Sequence, residues 1–127
     1  NEGELKDALK KLAKIRERTM KVKAVGGKAF NPGFHLAIDL ENMLLVSEAI
    51  ARSALEREES RGGHTRDDYP KMDPQWRQYN HLTSWNGKKI DVEADKAKML
   101  PKELFELFDM DELKKYFTEK ELAKGGK

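Results

Sequence analysis

Apolar residues recur three or four positions apart over two long stretches of the chain. In the first, Leu5, Leu9, Leu12, Ile15, Thr19 and Val22 form one stripe, with lysines and arginines filling the opposite face. This predicts an amphipathic helix from Glu4 to about Ala24, stopped by Gly26-Gly27. Asn31-Pro32 opens the second stretch, because asparagine caps a helix and proline suits its first position. From there Leu36, Leu40, Met43, Leu44, Ser47, Ile50, Ala54 and Leu55 keep helical spacing. Ala37, Leu45, Val46, Ala49 and Ala51 carry the apolar surface almost all the way round. The second helix is therefore expected to be the most buried, running to about Glu59 or Ser60. Its small residues allow a neighbouring helix to approach closely. A short connection predicts that the two helices pack antiparallel.

After Pro70 the pattern breaks. Asp73-Pro74 is a turn signal, and Trp76, Tyr79 and Leu82 supply isolated apolar anchors. Trp85-Asn86-Gly87-Lys88 reads as a hairpin with a two-residue Asn-Gly turn, and Ile90 and Val92 alternate with polar neighbours on the returning arm. Pro101 starts a terminal helical region through Leu104, Phe105, Leu107 and Phe108. Asp109-x-x-Glu112 has the spacing of a capping box ahead of Leu113, Tyr116 and Phe117, and Thr118-x-x-Glu121 restarts a last turn. Lys124-Gly125-Gly126-Lys127 is expected to be disordered. The fold class that follows is all-α: an antiparallel helical bundle with a long loop, one small β-hairpin and short C-terminal helices.

Composition narrows the chemistry. The 127 residues suffice for one domain or part of one. Lys plus Arg number 25 and Asp plus Glu 23, so the net charge of +2 gives no general electrostatic case for nucleic acid. There is no cysteine, which removes disulfides, thiolate catalysis and iron–sulfur ligation from this chain. The longest apolar run, Met43 to Val46, is far below the roughly 20 residues of a membrane span, so a soluble chain without direct membrane insertion is expected. The basic face of the first helix could also be read as a membrane-surface helix, but Glu2, Glu4, Asp7 and Glu17 dilute it. His35, His64 and His81 lie in no metal-ligand spacing. Asp109-Met110-Asp111-Glu112 lacks the glycine and closing glutamate of a calcium loop.

One segment concentrates polar chemistry. Glu59, Ser60, Arg61, Gly62, Gly63, His64, Arg66 and Asp68 fall within ten positions at the end of the second helix. Two readings fit. The segment is a helix stop whose arginines and carboxylates pair on the surface, or the glycines bring backbone close to another surface while Arg61, His64 and Arg66 reach across. Guanidinium groups and a histidine suit carboxylate partners, and the spacing does not say whether those belong to a substrate or a protein.

The segment also carries a resemblance. Asn31, then Leu40-Glu41-Asn42-Met43-Leu44, then Ala49-x-x-x-x-Ala54-Leu55-x-Arg57-x-Glu59-Ser60-Arg61-Gly62-Gly63-His64-x-Arg66-x-Asp68-Tyr69-Pro70, with Asp73 and Trp76, resembles the C-terminal helical domain of succinate dehydrogenase/fumarate reductase flavoproteins. L-aspartate oxidase shares that domain. The long loop and hairpin point to the dehydrogenase or reductase branch. The resemblance implies a spectrin-repeat-like bundle with its first helix missing, in a domain over 1–95 and a C-terminal extension over 96–127. It implies a parent protein that binds FAD, interconverts succinate and fumarate and passes electrons to an iron–sulfur subunit. That parent would sit in the cytoplasm, peripheral to the inner face of the cell membrane through partner subunits. The chain itself would hold no FAD and no catalytic residue, and Arg61, His64 and Arg66 would dock it to the FAD-binding domain and the iron–sulfur subunit. The alternatives are the corresponding domain of an L-aspartate oxidase-like enzyme and a free-standing helical interaction module. With a bundle helix missing, an apolar face of the second helix is expected to self-associate or to be covered by residues Pro101 to Leu122 folding back.

Overall fold

The computed structural model describes residues 1–98 and 100–123. Helix α1 spans Glu2–Thr19. Asn1 caps it: its side chain accepts from the Glu4 amide at 3.0 Å, while the Glu4 carboxylate takes the N-terminal amine. Glu2 and Glu4 in the first turn and Arg16 and Arg18 in the last oppose the helix dipole. The helix stops at Thr19, short of the expected Ala24. The Thr19 hydroxyl donates to the Arg16 carbonyl at 2.7 Å, and the chain then tightens into turns from Lys21 to Arg18 and from Val22 to Thr19. The periodic Val22 therefore lies beyond the helix.

Helix α2 spans Pro32–Glu56, with Asn31 at its N-cap accepting from the Phe34 amide. It ends at Glu56, earlier than Glu59 or Ser60 and well before the Gly62-Gly63 pair. The Glu2 amide bonds Asp68 just past the C-terminal end of α2, whereas Arg16 near the other end of α1 pairs with Glu48 in mid-helix. The two helices run antiparallel, as expected. The connection between them takes residues 20–31.

Strand β1, Tyr79–Trp85, pairs antiparallel with β2, Ile90–Lys96, in the register Trp85 to Ile90 through Tyr79 to Lys96. The turn is longer than the two-residue Asn-Gly expected. Asn86 does not adopt positive φ; its side-chain oxygen instead accepts from the amides of Lys88 and Lys89, and only Gly87 is left-handed, at φ 93°. The hairpin lies on α2, where Ile90 is buried with Leu44 and Ala51. Glu48 is buried in that same layer, accepting from Arg16 at 2.7 Å and Arg52 at 2.8 Å. Burial alone would raise its carboxyl, but those bonds hold it below the ordinary value. One acid thus ties α1, α2 and the start of β2.

Three short helices follow: α3, Lys102–Phe105; α4, Met110–Tyr116; and α5, Glu119–Ala123. Phe105 and Leu113 are their buried residues, with Phe117 edge-on to Phe105 at 5.6 Å. Asp109 precedes α4 as expected but makes no capping bond, whereas Thr118 and Glu121 do cap α5. Arg77, in the turn of 3-10 helix Trp76–Gln78, bonds the Tyr116 carbonyl and Glu121 and lies 4.2 Å over Phe117. The terminal helices are thereby pinned to the 3-10 turn that precedes the hairpin. They do not fold back over α2, where Leu36, Met43, Val46 and Ile50 remain more than half exposed. The expected disorder of Lys124 to Lys127 falls outside the described residues.

Candidate functional site

Between Arg57 and Asp73 the chain turns a corner built from ion pairs. Arg66 is its hub and is only 2% exposed. One arm of its guanidinium donates to the carbonyls of Ala54, Leu55 and Arg57 at 2.9, 3.1 and 3.2 Å. These are carbonyls that a helix end leaves without partners, so a buried cation closes α2 where its dipole is negative. The other edge makes a two-pronged bond to Asp68, 2.8 Å on each oxygen, and the group lies 4.9 Å over the Tyr69 ring. The Arg66 guanidinium holds the Asp68 carboxyl far below the usual range, assisted by the Glu2 amide at 2.8 Å. That last bond draws the start of α1 into the corner.

Glu59 is the second hub and has no exposed surface. Its carboxylate accepts from Arg57, from Arg61 twice at 2.9 Å and from the Asp73 amide at 2.9 Å. Burial pushes its carboxyl up, yet these donors win and hold it below the ordinary value. Ser60 completes the knot: its hydroxyl oxygen accepts from the Arg66 amide at 2.8 Å and lies 2.8 Å from the Tyr69 carbonyl, to which it donates. Gly62 and Gly63 form the tip of a tight turn closed by reciprocal backbone bonds between Arg61 and His64, 2.8 and 3.0 Å. Gly62 takes φ +57°, and a β-carbon at either glycine would meet open space.

The eight residues singled out in the sequence are thus brought together, and they divide in two. Glu59, Ser60, Arg61, Arg66 and Asp68 spend their polar atoms on one another and on nearby backbone. Arg66 in particular is not free to reach across to another surface, so any part it plays in docking is through the shape of the corner. Gly62, Gly63 and the half-buried His64 form the outward edge. The His64 Nε2 lies 3.3 Å from the Arg57 carbonyl. A carboxylate that is ionised and has its oxygens occupied is a poor general base. Among the described residues no cluster of His, Asp and Glu could hold a metal ion.

Next to the corner is a concavity of about 450 Å³ between α2 and the hairpin, lined by Ile50, Ser53, Ala54, Arg57, His64 and His81. The His81 ring stands edge-on to Trp76 at 5.5 Å, its buried Nε2 has no partner among the described residues, and burial lowers its pKa. Sequence reasoning weighed His81 only as a metal ligand, quoted Arg57 only within the family motif, and gave no role to Glu48. For Glu48 a signal existed: it is the sole acid between Asn42 and Arg52, in an otherwise apolar run. For Arg57 the motif marked the residue and not its role, because its bonds to the Trp76 and Tyr79 carbonyls depend on where the hairpin packs.

Comparison with known proteins places this architecture. The family described as fumarate reductase flavoprotein C-term matches residues 1–114. The succinate dehydrogenase flavoprotein subunit of Coxiella burnetii is 40% identical over 73 residues, 57% of this chain and 12% of that protein. The fumarate reductase flavoprotein subunit of Helicobacter pylori is 37% identical over 90 residues, 69% of this chain and 12% of that protein. Among solved structures, a chain of the Mycobacterium smegmatis Sdh1 complex in the apo form superposes with TM-score 0.84 and 44% identity, over 97% of this chain and 22% of that one. The chain therefore spans about an eighth of the length of the curated relatives it matches.

Proposed function

From the premise that this chain belongs to the fumarate reductase flavoprotein C-terminal family, we propose that it is the accessory helical domain of a succinate dehydrogenase/fumarate reductase-type flavoprotein. The observation that carries this reading is the superposition with the Mycobacterium smegmatis Sdh1 complex over nearly the whole chain, at 44% identity. The complete flavoprotein would interconvert succinate and fumarate with FAD and pass electrons to an iron–sulfur subunit. It would lie in the cytoplasm, held at the inner face of the membrane by partner subunits. No helix among the described residues is long and apolar enough to cross a membrane.

FAD belongs, on this reading, to the rest of the flavoprotein. The described residues contain one two-stranded antiparallel sheet, which is not the parallel strand, glycine-rich turn and helix of a Rossmann dinucleotide site. The role of this domain is docking. Glu59, Ser60, Arg61, Arg66 and Asp68 hold the corner rigid, and Gly62, Gly63 and His64 present its edge to the FAD-binding domain and the iron–sulfur subunit. A tip without β-carbons lets the partner backbone come close. In the complete flavoprotein, His64→Ala and Gly63→Gln are expected to reduce co-purification of the iron–sulfur subunit by about tenfold, the loss of one good interface contact. If both variants assemble normally but lose affinity for succinate, the corner serves the substrate and not docking.

A further inference from the structure

The end of α2 opposite that corner carries a feature the docking edge does not explain. Phe30 has a left-handed backbone, φ 52°, the one residue other than glycine so placed among those described, and its side chain is wholly exposed at 102%. Asn31 fixes it there. The Asn31 amide nitrogen donates to the carbonyls of Val25 and Gly27 at 3.0 and 2.8 Å, while its oxygen caps α2 through Phe34 at 3.2 Å. One side chain thus ties the loop to the helix and turns Phe30 outward. Met20 and Val25, in the same connection between α1 and α2, are 77% and 93% exposed. From residue 18 to 31 the chain has Arg18, Lys21, Lys23 and Lys28 and no acid, and none of these four cations is in an ion pair among the described residues.

We propose that residues 18–31 are a second docking surface, a rigid basic knob led by Phe30 that seats in an acid-rimmed apolar pocket on the flavin-bearing remainder of the same polypeptide. The Asn31 bonds account for the backbone state of Phe30 but not for its ring standing in water, which is offset only in a complex. Uncompensated lysines around apolar tips select a surface of opposite charge. A knob fixed by Asn31 matches a shaped pocket, whereas a lipid surface accepts a mobile loop equally well. The identity of the partner rests on the reading of this chain as one domain of a longer flavoprotein. A patch this small is weak between free molecules, but within one polypeptide the tether supplies an effective concentration of about millimolar, and a few contacts suffice.

The test uses the complete flavoprotein with its FAD and reads limited proteolysis at the junction before this domain. Phe30→Ala is expected to raise the cleavage rate about tenfold, and Phe30→Trp to restore protection. The double variant Lys21→Glu/Lys23→Glu should raise it at low salt, with the difference fading as salt screens the rim. Cleavage at the parental rate in both variants overturns the proposal. So does Phe30-dependent sedimentation with phosphatidylserine vesicles, or loss of the iron–sulfur subunit with the junction still protected. A lowered melting temperature of the 127-residue chain carrying Phe30→Ala would assign the residue to the fold instead. The His64 experiment fails or succeeds separately, because it reads subunit capture and not the junction.

Discussion

The two ends of α2 are finished in opposite ways. At the C-terminal end the carbonyls of Ala54, Leu55 and Arg57 meet the buried Arg66, and Arg57, Glu59, Arg61 and Asp68 around it are paired inside the chain. At the N-terminal end a strained Phe30, bare aliphatic side chains and unpaired lysines face water. The flanks differ in the same sense. Leu44, Glu48 and Ala51 are buried, while Leu36, Met43 and Ile50, spaced seven apart, form an open stripe. A saturated network fixes the shape of the edge it carries; an unsatisfied surface is where a partner supplies what is missing. Charge content alone would have ranked these regions the other way.

Breaking the saturated end should have the largest effect. Arg66→Ala leaves Asp68 and three helix carbonyls without their donor, and removal of one member of a buried pair typically costs about 3–5 kcal/mol. Against a total stability of about 5–15 kcal/mol, urea unfolding followed by circular dichroism should show a chain near the edge of folding. Retained stability would mean that the corner is ornamental. On the flanks, Leu44→Ala should cost about 2–5 kcal/mol, whereas Met43→Ala, one position away and 62% exposed, should stay within about 0.5 kcal/mol. Equal losses at the two positions would mean that the open stripe is covered by a second copy in solution, which light scattering would reveal.

Acid should act on the same end. Glu59 and Asp68 titrate below their ordinary values in the folded chain, so folding releases protons from them. Their contribution is complete above the unfolded carboxylate range of about 4, and it is lost as pH falls through the lower folded values. The urea midpoint should be flat from neutrality to about pH 5 and then decline, with a shallower decline in Arg66→Ala, which has already lost the Asp68 partner.

Local rules carried much of the fold into view. Asn31-Pro32 marked the start of α2, the leucine stripe of α1 marked its packing face, and Asn86-Gly87 marked the hairpin. Ends were harder, because each is decided by a bond the spacing does not encode. The Thr19 hydroxyl takes up the Arg16 carbonyl where α1 ends, before its glycine stop, and Arg66, ten residues past the last helical residue, caps the end of α2. The site was legible as a set of residues and not as a set of roles. Nothing in the order of Glu59, Arg61 and Arg66 tells which charges turn inward, since that depends on the Asp73 amide and the Ala54 and Leu55 carbonyls arriving from elsewhere. Phe30 gave no signal at all, because φ is not written in a phenylalanine.

The smallest effects separate the backbone use of the glycine pair from its use as a contact. Gly62 sits at φ +57° with open space where a β-carbon would go, so Gly62→Ala meets no clash and should lose only the left-handed penalty, about 1–2 kcal/mol. Gly63 has equal space and no left-handed backbone, so Gly63→Ala should leave the melting temperature of the chain unchanged. In the complete flavoprotein the order should reverse. A methyl group at the outer glycine would stand between two surfaces and weaken subunit capture, while Gly62→Ala, once folded, would capture the iron–sulfur subunit normally. If Gly63→Ala is silent in both measurements, the bare tip is a turn device only, and the docking edge shrinks to His64.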